Sequence, residues 1–221
     1  MALSRLTYNS LNVTPTASKG IGFDSGADDL AATFTGGSMR FIKKLTSDGS
    51  DDDLSFVDGT SDVVLDDTYK EYLFLFKDIH PETNDVDFQF QGNAAGGSGY
   101  NETITSTFTR AYHEEGGGAA GFGYSTGSDK AQGTDFQILL DDVGNDNDQC
   151  GSGYLRLFNP SSTTFVKHFL ARFQVENQAA SQETYVAGYC NTTSAVDAIQ
   201  FSMSSGNIDS GTIKLYGIKD S

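Results

Sequence analysis

The sequence is poor in positive charge, in proline and in cysteine, and it contains no tryptophan. Its 221 residues include 14 Lys and Arg against 30 Asp and Glu, so the formal net charge is −16. A nucleic-acid partner is disfavoured because phosphate binding requires an excess of cations on at least one face. An anionic membrane surface is disfavoured for the same reason. Because no window approaches about 18 consecutive apolar residues, the sequence predicts no transmembrane helix.

Glutamate is scarce as well, which bears on the fold class. The 30 acidic residues divide into 7 Glu and 23 Asp, and Asp favours turns and caps over helix interiors. The 25 Gly residues also supply turns, whereas the 16 Phe and 10 Tyr favour strands. The composition therefore predicts an all-β domain with polar loops.

Short strand-like runs alternate with turn clusters from Gly36 onward. Val86, Phe88 and Phe90 alternate with polar residues, the period of a half-buried strand. Residues 69–79 are almost continuously apolar at their centre, which favours a strand covered on both faces. Residues 135–140 fit a strand or a helical turn. The other predicted strands are Met39–Leu45, Leu54–Val57, Thr103–Tyr112, Tyr154–Phe158, Phe165–Gln174, Thr184–Cys190, Ile199–Met203 and Thr212–Ile218.

This series of strands predicts the architecture and the domain boundaries. About ten short strands separated by turn signals favour a two-sheet antiparallel β-sandwich, jelly-roll-like, over residues 38–221. Residues 1–37 hold isolated apolar residues without a periodic run. We interpret them as an extended N-terminal arm that docks on its own domain or on a neighbouring subunit. A first strand pair of the same domain is the alternative.

Aromatic residues in glycine-rich loops are the candidate ligand-binding residues. The loops are Gly92–Tyr100 and His113–Gly127, and the candidates within them are Tyr100, Phe122 and Tyr124. Loops on a rigid sandwich often carry binding residues, so Phe122 and Tyr124 could form an exposed platform for a sugar. They could equally tuck under the edge of a sheet.

The acidic loop Asp141–Asp148 is a candidate calcium site. Its oxygen ligands would be Asp142, Asn145, Asp146 and Asp148, because Ca²⁺ prefers carboxylate and carbonyl oxygens. The loop departs from the EF-hand pattern, since it has no Gly at the sixth position and no closing Glu. The alternative is a loop of Asx-turns whose side chains bond their own backbone. No other cofactor is predicted.

The sequence carries no catalytic motif, and we expect no enzymatic activity. None of the three histidines, at positions 80, 113 and 168, lies in a motif such as GxSxG. Cys150 and Cys190 lack the spacing of a zinc site and could be free thiols or one disulfide. The first ten residues contain no apolar run, so we expect no export signal there.

Several segments resemble a known group of proteins. Residues 157–169 read LFNPSSTTFVKHF, and a second block covers residues 187–219. Together they resemble a block that recurs in virion structural and tail-fibre-like proteins of tailed bacteriophages infecting marine bacteria. The segments 56–59, 69–72 and 79–83 are similar to the first half of the same family, so the resemblance covers about residues 38–219.

The resemblance implies a location in the phage particle more than a chemistry. The expected function is a non-enzymatic virion structural protein, displayed as a capsid decoration or as a tail-fibre or appendage component. The alternative is a receptor- or glycan-binding, lectin-like adhesin head. The resemblance also implies partners: other virion proteins, further copies of the chain, with a trimer favoured, and host-surface glycan for the adhesin alternative.

Overall fold

The computed structural model describes residues 20–23, 30–34, 37–177 and 179–220. The chain divides into two compact units, Met1–Arg40 and Phe41–Ser221. In the first unit, β1 (Gly20–Phe23) pairs with β2 (Leu30–Phe34) in antiparallel register. The remainder of the predicted arm, residues 1–19, 24–29 and 35–36, lies outside the described residues. The extended arm therefore stays a prediction.

Thirteen further strands follow, and the described residues contain no helix. They are β3 (Met39–Thr46), β4 (Asp53–Val57), β5 (Glu71–Pro81), β6 (Val86–Ala94), β7 (Ile104–Glu114), β8 (Ala120–Tyr124), β9 (Ala131–Gly133), β10 (Gln137–Val143), β11 (Gly151–Phe158), β12 (Lys167–Glu176), β13 (Ala180–Cys190), β14 (Val196–Met203) and β15 (Ile208–Ile218).

These strands form two antiparallel sheets. The larger has nine strands in the order β3-β15-β5-β11-β12-β13-β7-β8, with β9 also paired to β7. The smaller has the order β10-β6-β14-β4. The chain changes sheet repeatedly, for example between β4 and β5 and again between β5 and β6. The predicted all-β, two-sheet antiparallel sandwich is thus confirmed.

Aromatic rings from both sheets form the core. Phe201 on β14 is fully buried, and its ring centroid lies 5.4 Å from that of Phe74 and 5.0 Å from that of Phe76, both on β5. The ring of Phe88 on β6 stacks on the ring of Phe201, with 6.0 Å between the two centroids. Each such ring buries roughly 150–250 Å², so these contacts supply much of the hydrophobic stabilisation of the sandwich.

The structure corrects two local expectations and decides between the two alternatives for a third segment. The predicted loop at residues 113–127 contains β8, because the glycines around Phe122 allow close pairing with β7. Residues 137–143 form a strand, β10, and not a helical turn. Strand β5 is fully buried on one face only, since Leu73 and Leu75 alternate with the buried Phe74 and remain partly exposed. One face of the nine-stranded sheet is therefore accessible at its centre.

Candidate functional site

The structure brings two of the predicted ligand-binding residues together on β8. Phe122 pairs with Ala111 and Tyr124 with Thr109, so both side chains share the sheet face that points away from the buried Phe108. They are 76% and 51% exposed. The Tyr124 hydroxyl donates a hydrogen bond to the Asp129 carboxylate, which raises the pKa of that tyrosine. The sequence allowed either an exposed platform or a position tucked under the edge of a sheet, and the structure shows both side chains exposed.

Tyr100, the third candidate, occupies a different part of the chain. It lies half-buried in the connection between β6 and β7, whereas Phe122 and Tyr124 lie on the strand that follows β7. The structure therefore brings together Phe122 and Tyr124 as a pair and places Tyr100 on a separate segment.

A cleft borders the β7–β8 pair. Two depressions, of about 410 Å³ and 300 Å³, share Arg110 and Tyr112 as lining residues. The larger is also lined by Asp142 and Gln182, and the smaller by Phe122 and Tyr124. A side chain at Gly121 would displace the ring of Tyr112, because a Cβ at that position would lie 2.8 Å from Cε1 of Tyr112.

An ion pair between the two sheets holds Arg110 in this cleft. Its Nη1 lies 2.7 Å from Oδ2 of Asp141, a side chain on β10 that is only 7% exposed. Gln182 of β13 donates to the other carboxylate oxygen of Asp141 at 2.6 Å. Because both oxygens of Asp141 are engaged, the guanidinium has a defined position from which it could contact a polar ligand.

Carboxylates crowd together where β10 ends beside β6. Burial raises the pKa of Asp142, and the neighbouring charges of Asp141 and Asp85 add to that effect. Burial also raises the pKa of Asp87, although this carboxylate accepts a hydrogen bond from the Asp142 amide at 3.1 Å. Both side chains are therefore easier to protonate than ordinary aspartates.

The candidate calcium residues lie at the end of β10 and in the exposed loop that follows. Asp142 is on the strand, and Asn145, Asp146 and Asp148 are exposed in the loop. Asn145 bonds to its surroundings through Nδ2, which donates to the Glu82 carbonyl at 2.9 Å. Within the described ranges, no group of three or more His, Cys, Asp or Glu side chains is arranged to hold a metal ion. The calcium site stays a prediction.

The two cysteines are free thiols, which answers the question that the sequence left open. Cys190 is fully buried at the end of β13, and burial raises the pKa of its thiol to about 12. Lys167 of β12 lies opposite Cys190 and is equally buried. Its ammonium donates to the carbonyls of Phe165 at 2.8 Å and Thr192 at 3.1 Å, while burial lowers its pKa.

The three histidines lie in different parts of the sandwich. His80 is hydrogen-bonded on both sides of its ring, to the Asp209 carboxylate at 3.1 Å and to the Asp146 carbonyl at 3.2 Å. His168 is exposed on β12 and contacts the ring of Tyr189 edge-on at 5.9 Å. His113 is exposed near the end of β7. These positions do not gather the histidines into one site.

Sequence reasoning missed the cleft around Arg110 and the accessible face of the large sheet. Arg110 falls in a run with Thr107 and Thr109, where nothing marks it as the partner of Asp141, 31 positions away. Apolar and polar residues alternate along β11, β12 and β13, which indicates that each of these strands has one face outside the core. Which of those faces share one surface depends on strand order, which the sequence does not display.

Comparison with protein-family models, with curated proteins and with solved structures finds no match to this chain. Among the residues that the structure describes, no helix is long and apolar enough to span a membrane.

Proposed function

We propose that this chain is a non-enzymatic structural protein of a tailed-bacteriophage virion. It is displayed on the particle surface, either as a capsid decoration or as a component of a tail fibre or appendage. The observation that carries the proposal is the resemblance to virion proteins of that group, quoted above for residues 56–59, 69–72, 79–83, 157–169 and 187–219.

The fold is consistent with this proposal because those distant segments are neighbours in space. Strand β5, from the first segment, lies between β15 and β11 in the nine-stranded sheet. Phe56 and Val57, which end β4, also belong to the first segment, and they pair with Ile199 and Ala198 of β14 in the second. The strands within the quoted segments are therefore neighbours in both sheets of the sandwich.

The charge of the chain supports display in many copies. A net charge of −16 favours solubility and opposes nonspecific association of neighbouring copies. Specific assembly then requires defined contacts with self or with other virion proteins. We expect a homo-oligomer, with a trimer favoured. Analytical ultracentrifugation of the full chain measures the number of copies in the assembly.

The virion proposal is tested on intact particles. An antibody raised against the folded protein is applied to purified virions, followed by gold labelling and electron microscopy, with antibody pre-absorbed on the protein as the control. Label distributed over the head supports a decoration protein, and label confined to the tail supports a role in host attachment. Absence of specific label would overturn the proposal.

A second candidate function is a glycan-binding adhesin head. The favouring observation is the exposed pair Phe122 and Tyr124, two adjacent aromatic side chains on an edge strand. Exposed aromatic residues of this size commonly mark binding surfaces. Binding of the purified protein to host cells should fall on Phe122→Ala and should be unaffected by Phe165→Ala, which removes a similarly exposed ring outside β8.

A further inference from the structure

The accessible face of the nine-stranded sheet carries an ordered array of side chains at its centre. The register of four neighbouring strands, β11, β12, β13 and β7, places outward-facing residues in three rows. The first row is Tyr154, Arg172, Tyr185 and Thr109, and the second is Arg156, Leu170, Ala187 and Thr107. The third is His168, Tyr189 and Thr105, together with Phe158, which lines the same depression as His168. We call these twelve residues the central array.

A small residue in the middle row makes the array concave. Ala187 lies between Tyr185 and Tyr189 on β13, and these tyrosines are separated by about 13 Å along the strand. Two depressions, of about 510 Å³ and 240 Å³, share Ala187, Leu170 and Thr107 as lining residues. Together they form one shallow trough with aromatic residues at both ends.

The trough is electrically balanced, although the chain as a whole is strongly acidic. The array contains Arg156, Arg172 and His168 but no carboxylate. Each arginine is paired at the rim: Arg156 Nη2 lies 2.6 Å from Glu71 Oε1, and Arg172 Nε is bonded to Glu183. A polyanion gains no net attraction from paired arginines, and the charge of −16 repels it. An uncharged ligand meets no such repulsion, so it fits this face best.

The polar groups of the array suit a ligand rich in hydroxyl groups. Arg172 lies over the Tyr185 ring, with 5.0 Å between its Cζ and the ring centroid, and thus has a fixed, planar orientation. Threonine hydroxyls line one side of the trough, and tyrosine rings offer an apolar face beside a hydroxyl. Sugars present the complementary pattern, with apolar C–H faces and hydroxyl edges. Tyr124, which pairs with Thr109, extends the first row onto β8.

We propose that this trough binds an uncharged glycan chain, which lies over Ala187 between the tyrosine-bearing rows. The proposal rests on the binding role suggested above for Phe122 and Tyr124, and it adds the ligand class and the main contact surface. Tyr124, at the end of the first row, also lines the cleft around Arg110, whereas none of the residues that line the trough does.

Affinity electrophoresis of the full chain tests the proposal. The probes are three uncharged polysaccharides, dextran, laminarin and galactomannan, with alginate as the anionic comparison. At least one uncharged polymer should retard the protein. Retardation should weaken at least tenfold on Tyr185→Ala, which removes a ring, and on Ala187→Leu, which fills the floor. Ala95→Leu adds the same bulk at an exposed turn of the other sheet and should change nothing.

Several outcomes would overturn the proposal. The first is that no uncharged polymer retards the protein, and the second is that alginate alone does. The third is that Tyr185→Ala and Ala187→Leu are retarded as strongly as the wild type while both keep the wild-type circular dichroism spectrum. A shift in sedimentation of Ala187→Leu without a change in glycan binding would assign the trough to a second copy of the chain. Virion labelling separates the two proposals. If the protein binds a glycan but virions are not labelled, only the virion role is overturned. If virions are labelled but no glycan is bound, only the glycan-binding trough is overturned.

Discussion

The buried thiol of Cys190 makes the stability of the sandwich sensitive to alkaline pH. Its pKa rises from an ordinary value of 9.0 to about 12 in the folded protein because burial disfavours the thiolate. A raised pKa means that the unfolded chain loses this proton first as the pH increases. The contribution of the buried, protonated Cys190 thiol to the free energy of unfolding is therefore fully present below about pH 9, and it is lost as the pH rises towards 12.

The size of the effect follows from that shift. Three pKa units at about 1.36 kcal/mol each correspond to roughly 4 kcal/mol for the complete transition. At about pH 10.5 the unfolded thiol is largely ionised while the folded thiol is not, and the loss is about 2 kcal/mol. This is a substantial part of the 5–15 kcal/mol that is typical of a folded domain.

Urea unfolding followed by circular dichroism, at pH values between about 8 and 10.5 with a reductant present, measures this contribution. The Cys190→Ala variant should lose about 2 kcal/mol less than the wild type over this range. Cys150→Ala is the matched control, since that thiol is only partly buried and should contribute less. Parallel pH profiles for wild type and Cys190→Ala would refute the reasoning.

Three further predictions concern the core, the inter-sheet ion pair and the N-terminal segment. Phe201→Ala should lower the free energy of unfolding by about 3–5 kcal/mol, whereas Phe122→Ala should change it by less than about 0.5 kcal/mol. If urea unfolding showed the same loss for both variants, the assignment of Phe201 to the core would be wrong. Arg110→Ala should cost about 2 kcal/mol because Asp141 stays buried without its cation. Adding Asp141→Asn should then cost little more, and additive losses in this double-mutant cycle would argue against coupling. Removal of residues 1–37 should leave the sandwich folded, since the core residues that the structure describes all lie beyond position 41, but should abolish assembly. An unfolded product in circular dichroism would exclude the arm interpretation.

The physical basis of the strand predictions explains where they succeeded. Ile213 and Leu215 alternate with Lys214 and Tyr216, and the structure buries the first pair while leaving the second partly accessible. Such alternation is local, because neighbouring residues of a strand point to opposite faces whatever the strand pairs with. Strand β8 escaped prediction because its glycines have turn character, and its pairing depends on β7.

The exposure of Phe122 and Tyr124 illustrates the limit of such reasoning. Both residues were candidates from sequence, yet an exposed platform and a tucked position were equally compatible with the same letters. Their orientation follows from register with β7, which places them opposite Ala111 and Thr109 on the accessible face. Register is a relation between strands, so a single segment does not contain it.

The all-β class, the strand periodicity, the acidic character and the candidate aromatic residues are readable from the sequence, since these depend on composition and on neighbours along the chain. The tertiary structure alone decided that Arg110 meets Asp141, that Cys190 lies beside Lys167 without a disulfide, and that four strands combine into one trough. The reason is that each of these features joins residues distant along the chain, and strand order and register bring them together.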